Sequence, residues 1–188
     1  MFIKAIKTAN VKGYLKLLVD TGEGHVWFLL SESQYDALGR PAPCDEISDE
    51  DFRVITSGDE YNRAKKKALN ILAFGDNSVR ELIQKLSRAG ISRAVSCAVT
   101  EEMIKLGYID EERQLMRLVE NEANVKLSGS KKIFAQLAKK GYAPEKIKST
   151  IRRLEIEGII NFEENKKKLL AGIADEEERR KILYKKGF

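Results

Sequence analysis

The sequence predicts a mainly α-helical protein, built of tandem three-helix repeats that form an elongated curved solenoid and preceded by a small antiparallel β module. Three observations predict it. Within the 188 residues, Gly90 and Gly141 lie 51 positions apart, as do Gly107 and Gly158, and the same offset pairs Leu82 with Ile133, Leu86 with Leu137 and Met103 with Leu154. A period of that length marks stacked helical units that bury their apolar faces on one another. Helix start and stop signals recur at matching places in the two copies, and the first 30 residues alternate with the period of two that belongs to strands.

Taken in order, three strands open the chain: Phe2 to Lys7, Tyr14 to Asp20 and His25 to Leu30, the last two with Leu15, Leu17, Val19 and Val26, Phe28, Leu30 in alternation. Gly13 and the run Thr21-Gly22-Glu23-Gly24 supply the turns between them. Three strands cannot stand alone, so the sheet is expected to pack on the short helix after Ser31 that carries Tyr35 and Leu38 and ends at Gly39. Trp27 and Leu29 point to the opposite face, where they either cover a helix or meet a partner. Pro41 and Pro43 break the chain, and the acidic segment Asp45 to Asp51 leads to a further short helix around Phe52, Val54 and Ile55.

The helical body is expected from about Asp59, with helices near 60–74, 78–89, 92–106, 111–125, 129–140 and 144–157. Tyr61, Ala64, Ala68, Ile71 and Leu72 make the first stripe. Ser78 with Glu81 reads as a capping box, Gly90 and Gly107 as helix stops, and Asp110 as the cap of the following helix, with Glu111 and Glu112 in its first turn. Tyr108 is expected to pack at the joint there. The second copy repeats this grammar through Gly141, Pro144 at a helix start, Gly158, and Asn161 with Glu164. A third unit follows, with helices Asn165 to Ala174 and Glu176 to Lys186. Gly187 and Phe188 then fall where Gly90-Ile91 and Gly141-Tyr142 precede a third helix, and Arg179 and Arg180 stand near positions expected to be apolar. The domain division is therefore 1–58 for the β module, 59–112 and 113–160 for two complete repeats, and 161–188 for an incomplete third.

Charge is divided along the chain. Residues 1–63 hold 7 Lys or Arg against 11 Asp or Glu, and residues 64–188 hold 27 against 18, which together give the net +5. A basic helical body suits a polyanion or an acidic protein groove. Its candidate contacts are Arg80, Lys85 and Arg88 in the first repeat, and Lys131, Lys132, Lys139, Lys140, Lys148, Arg152 and Arg153 in the second, a stripe along one side if the repeats stack. With aromatics at 7%, contact with phosphates or acidic side chains is favoured over stacking on unpaired bases.

Several classes are set aside. No apolar run reaches the roughly 20 residues of a membrane span, and no apolar signal region begins the chain, so a cytoplasmic protein is expected. Cys44 and Cys97 are far apart and read as reduced thiols, with no zinc spacing around them. His25 has no oriented partner in the sequence, and Gly22-x-Gly24 lacks the third glycine and following helix of a nucleotide loop, so neither an enzyme nor a cofactor is indicated.

The run Ser78-x-x-Glu81-Leu82, Lys85-Leu86, Gly90 and then Leu106-Gly107-Tyr108-Ile109-Asp110-Glu111-Glu112-Arg113 resembles the most characteristic stretch of the RecX family, bacterial regulators of the RecA recombinase. Ser130-Lys131-Lys132-Ile133, Leu137 and Lys140-Gly141 are similar to that family's second repeat, and the resemblance covers roughly residues 61–188. It implies a monomeric regulator that lies in the groove of the RecA filament on single-stranded DNA and mostly inhibits the recombinase, in DNA repair and the SOS response. The competing reading is a basic helix-turn-helix nucleic-acid module over Ser130 to Gly158 with no recombinase partner. Its second helix offers no obvious base-reading cluster.

Overall fold

The computed structural model describes residues 1–188. Its elements are β1 (Phe2–Thr8), β2 (Tyr14–Asp20), β3 (His25–Ser31), α1 (Glu32–Ala37), α2 (Asp49–Ala73), α3 (Val79–Arg88), α4 (Arg93–Lys105), α5 (Glu111–Glu120), a π turn (Asn121–Val125), α6 (Ser130–Lys139), α7 (Pro144–Ile156), α8 (Phe162–Leu170) and α9 (Glu176–Lys186). The protein is thus mainly helical with one three-stranded antiparallel sheet, in the order β1-β2-β3. The repeat is visible in the helix starts: Val79 and Ser130, Arg93 and Pro144, and Glu111 and Phe162 are each 51 residues apart. Two units separate, Met1–Phe74 with Lys85–Glu101, and Gly75–Gln84 with Glu102–Phe188.

In the first unit the sheet buries Ile3, Leu17, Val19, Phe28 and Leu30 against Ile47 and Ile55, with Tyr35, Leu38 and Phe52 packed around them. Phe52 meets Phe28 edge to face at 5.6 Å. A bulge between Ile3 and Ala5 resets the β1 register. Both sheet edges find partners within the chain, which blunts them as templates for strand pairing. On the β1 edge, the Ile3 amide donates to the Asp45 carbonyl (3.0 Å), the Cys44 amide to Ile3 (2.8 Å) and the Ile47 amide to Met1 (2.7 Å). On the β3 edge α2 does the work with side chains: the Leu29 amide donates to Asp59 Oδ1 at 2.7 Å, and Asn62 Nδ2 donates to the Leu29 carbonyl at 2.9 Å. Asn62 also donates to Gln34 Oε1 at 2.7 Å, the same glutamine that completes the capping box of α1 with Ser31.

The expected short helix at Phe52 and the helix expected from about 60 are one element. Ser48 caps it by accepting the Asp51 amide, and Asp49, Glu50 and Asp51 fill its first turn. The Ser57-Gly58-Asp59 sequence looks like a break because glycine disfavours helix interiors. Here Gly58 serves packing: a Cβ would sit 3.0 Å from Gln34 Nε2 and 3.1 Å from Leu30 Cδ2, where the helix presses on the sheet.

The second unit is centred on α5, α6 and α7, which bury Leu115, Val119, Ile133, Leu137, Ile147 and Leu154 in one cluster. Gly107, Gly141 and Gly158 have φ of +76°, +90° and +70° and close helices through left-handed turns that a Cβ disfavours. Asp110 caps α5, accepting the Arg113 amide at 3.0 Å, and Pro144 occupies the first turn of α7. Tyr108, expected at the joint, is instead 55% exposed; the apolar neighbour Ile109 takes the buried position.

Two helix boundaries differ from expectation. The helix expected over 111–125 ends as an α-helix at Glu120 and continues as the π turn. The wider turn leaves the Ala123 carbonyl to an outside partner, and buried Asn165 Nδ2 donates to it at 3.0 Å. The helix expected over Asn165 to Ala174 is α8, Phe162–Leu170, because the Asn161 side chain accepts the Glu164 amide and so starts the helix three residues earlier. Arg179, near an expected apolar position, is half-buried and satisfied, its Nε donating to the Ile173 carbonyl at 2.7 Å.

Candidate functional site

The basic residues of α6 and α7 form the candidate surface. On α6, Ile133 and Leu137 point inward, which leaves Lys131, Lys139 and Lys140 exposed. On α7, Ile147, Thr150, Ile151 and Leu154 are buried, and Lys148, Arg152 and Arg153 face out. The start of α3 lies at the far end of α6. Ser78 Oγ donates to the Lys140 carbonyl at 2.6 Å, and Gly141 approaches so closely that a Cβ there would be 2.9 Å from the Arg80 Cβ. Arg80 is thereby placed beside Lys140, a juxtaposition across 60 residues that helical periodicity does not disclose. Lys85 and Arg88 fall in the other unit and are exposed there.

The candidates differ in how far their charges are committed. Arg153 donates to Glu157 at 2.8 Å and to Glu112 at 2.9 Å, and these carboxylates, Glu157 foremost, raise its pKa above the ordinary arginine value. Lys148 lies 5.9 Å over the Phe134 ring and 3.6 Å from Glu145. Lys132 departs from its expected exposure. It is half-buried because the end of α9 lies over it, with Lys132 Nζ donating to the Lys185 carbonyl at 3.5 Å and no room for a Cβ at Gly187.

The same contact explains how α6 begins without a capping side chain. Gly129 is its N-cap, and the helix-start amides are satisfied by the end of α9: Gly129 donates to the Lys186 carbonyl at 2.7 Å and Lys131 to the Gly187 carbonyl at 3.2 Å. Lys146 next to the stripe is held by Glu111 at 2.9 Å, and Glu111 also accepts the Val79 amide at 3.0 Å. Asp76 pairs with Arg117. Under this surface Tyr142 is buried with its hydroxyl donating to Gln114 at 3.0 Å; burial, with the carboxylates of Glu81 and Glu111 adding to it, pushes its pKa up to about 12. The ion-pair partners were not legible in the sequence, because Glu111 to Lys146 and Glu112 to Arg153 span 35 and 41 residues.

His25, the lone histidine, is exposed at the start of β3 with Asp20 at 3.5 Å. That carboxylate is shared with Lys4 at 3.3 Å and accepts the Gly22 amide at 3.1 Å, and this amide bond, then Lys4, lowers its pKa. A cavity of about 260 Å³ is lined by Asp76, Tyr108, Asp110, Arg113 and Arg117 among others, so exposed Tyr108 borders the cap of α5.

No family model matches the chain. Over 155 residues it is 27% identical to the regulatory protein RecX of Lactobacillus johnsonii and 26% to that of Lactobacillus gasseri, in each case 82% of this chain and 56% of the relative. Regulatory protein RecX of Clostridioides difficile is 26% identical over 110 residues. The chain spans about half the length of the curated relatives it matches. A crystal structure of regulatory protein RecX superposes with a TM-score of 0.73 at 20% identity, over 100% of this chain and 94% of that one. RecX from Lactobacillus salivarius gives 0.58 at 21% identity over 69% and 89%. In sequence and in fold the chain is RecX-like, and these likenesses support the family resemblance carried by Ser78 to Arg113.

Proposed function

We propose that this RecX-like chain is a regulator that binds the RecA recombinase filament on single-stranded DNA and mostly inhibits it, acting by occupancy and without catalysis. The observation that carries the reading is the likeness over 82% of the chain to a protein named for regulation, joined to a basic helical surface. Repeated units suit a helical filament because each engages a successive subunit, so that weak contacts multiply. Exposed Arg80, Lys131, Lys139, Lys140 and Arg152 are the contacts assigned to this role, whereas Arg153 and Lys132 have positioning partners within the protein. No helix is long and apolar enough to cross a membrane.

The test follows DNA-dependent ATP hydrolysis by RecA from the same cell while the chain is added at substoichiometric amounts, before and after filament assembly. Hydrolysis is expected to fall. Reversing Lys131, Lys139, Lys140 and Arg152 to Glu is expected to weaken the effect at least about fivefold, each exposed pair contributing roughly 0.2 to 1 kcal/mol. Affinity for the bare single strand is measured alongside. A chain that binds bare strand as tightly as filament at physiological salt, or leaves hydrolysis unchanged, sinks the recombinase reading in favour of the plain nucleic-acid module.

A further inference from the structure

The sheet of the first unit has a second face that the core does not use. The register places Ala5, Leu18 and Trp27 in one row across β1, β2 and β3, and Lys7, Lys16 and Leu29 in the next, about 6.6 Å further along the strands. Trp27 is 41% exposed, and Lys7 Nζ lies 5.3 Å from its ring centroid. Lys16 is exposed and Leu18 and Leu29 are half-buried, so the face is a shallow apolar floor with an indole standing on it and ammonium groups around it. Lys4 reaches onto this face as well, 3.3 Å from Asp20.

Where β3 meets α2 the floor continues into a cavity of about 250 Å³ lined by Val11, Tyr14, Leu29, Leu69, Lys65 and Lys66. It is bordered by apolar side chains and lysines together.

The charge on this face runs against that of its surroundings. Residues 1–63 are net acidic, yet most of the acids belong to other segments: Glu32 and Asp36 to α1, Asp45 and Glu46 to the strap along β1, and Asp49, Glu50 and Asp51 to the start of α2, while Glu23 sits in the β2–β3 turn and Asp59 is held at the β3 edge by the Leu29 amide. The outer sheet face itself carries three lysines, with Asp20 as its acid, and Asp20 is tied to Lys4. Segregation of this kind concentrates positive potential beside the exposed indole. A partner that fits must offer both negative charge and flat apolar surface at close intervals. Unpaired nucleotides do: bases stack on aromatic rings in a sequence-tolerant way while backbone phosphates meet the lysines. A duplex hides its bases, and an acidic peptide supplies charge without a flat ring system.

We infer that the outer face of the N-terminal sheet is a binding site for single-stranded nucleic acid, in which Trp27 stacks on a base and Lys7 and Lys16 hold the flanking phosphates. The site is built from the first unit alone and does not depend on the recombinase reading.

Trp27 is the one tryptophan of the chain, so its intrinsic emission reports this site and no other. The full chain is titrated with an oligothymidylate strand, with a duplex of equal length, with heparin and with polyglutamate, while anisotropy of a labelled strand records total binding. The single strand is expected to quench Trp27 emission to saturation, and heparin to displace it. The Lys7→Glu, Lys16→Glu double variant, its fold checked by circular dichroism, is expected to move the quenching midpoint at least about fivefold upward. Its salt slope should drop by roughly 1.4, for two phosphate contacts. Trp27→Ala is expected to weaken strand binding roughly tenfold when the α6–α7 lysines are also reversed. Rising anisotropy with unchanged Trp27 emission overturns the inference by placing the strand elsewhere. Absence of any binding overturns it too, and quenching by duplex or polyglutamate as strong as by the single strand replaces it with a general acidic partner.

Discussion

The helix ends of the second repeat are set mostly by nearby residues, whereas the β3 edge of the β module is closed from far along the chain. In the repeat, from Glu111 to Ile160, each helix is started or stopped by a residue within four positions of its end: Asp110 caps α5, Pro144 opens α7 and Gly158 closes it. In the module the decisive bonds cross 28 to 33 residues, from Asp59 and Asn62 of α2 to Leu29 and Gln34. Local punctuation survives the loss of a distant neighbour, whereas a sheet edge closed by one helix depends on that helix being in place. The contrast teaches where each region is vulnerable.

Breaking the long-range closure should have the largest effect. Asn62→Ala removes the donor to the Leu29 carbonyl and to Gln34 at a site 5% exposed. A buried acceptor left unpaired costs about 1–3 kcal/mol, so the denaturation midpoint followed by Trp27 emission should drop accordingly. An unshifted midpoint would mean that water replaces the amide and that the edge closure is incidental. The repeat is tested through its punctuation. Gly158→Val forces a β-branched residue into φ +70° and should cost roughly 1–2 kcal/mol, read from helical circular dichroism during unfolding. A cost near zero would show that the turn re-forms with another residue in the left-handed position.

A third test sharpens the comparison, because it probes a long-range contact inside the locally specified repeat. The Tyr142 pKa is raised in the folded state from 10.0 to about 12. The folded protein therefore keeps its proton where the unfolded chain gives it up, and the stability this contributes is complete below pH 10 and lost as pH rises from 10 to 12. Melting temperature should fall across that window, and Tyr142→Phe should flatten this part of the profile. An equal slope in the variant would assign the alkaline loss to other groups.

Legibility followed the same division. The stops at Gly107 and Gly158 and the caps at Asp110 and Asn161 were all readable, since each is a short-range pattern. Three features were not. The length of α2 was hidden because Gly58 reads as a breaker until Leu30 and Gln34 are seen against it. The π turn after α5 has no signal of its own and is matched by Asn165, 42 residues away. The α6 start, with Gly129 as its cap, looked unprovided for until α9 delivered the carbonyls of Lys186 and Gly187. For the candidate surface, helix assignment predicted which lysines are exposed, but it gave no hint that Lys132 is covered or that Arg80 stands beside Lys140.

What the amino-acid sequence determined alone is the repeat: the 51-residue period, the helix boundaries punctuated by glycine, proline and capping side chains, the alternating strands and the basic character of the body. These depend on backbone dihedrals and on hydrogen bonds reaching three or four residues, which act the same in any context. What only the tertiary structure decided is partnership: which carboxylates hold Arg153 and Lys146, which helix closes the β3 edge, and which face of the sheet is left with Trp27 and its lysines. Those outcomes depend on groups far apart in the chain meeting at about 3 Å, and no periodicity in the sequence records which of them will meet.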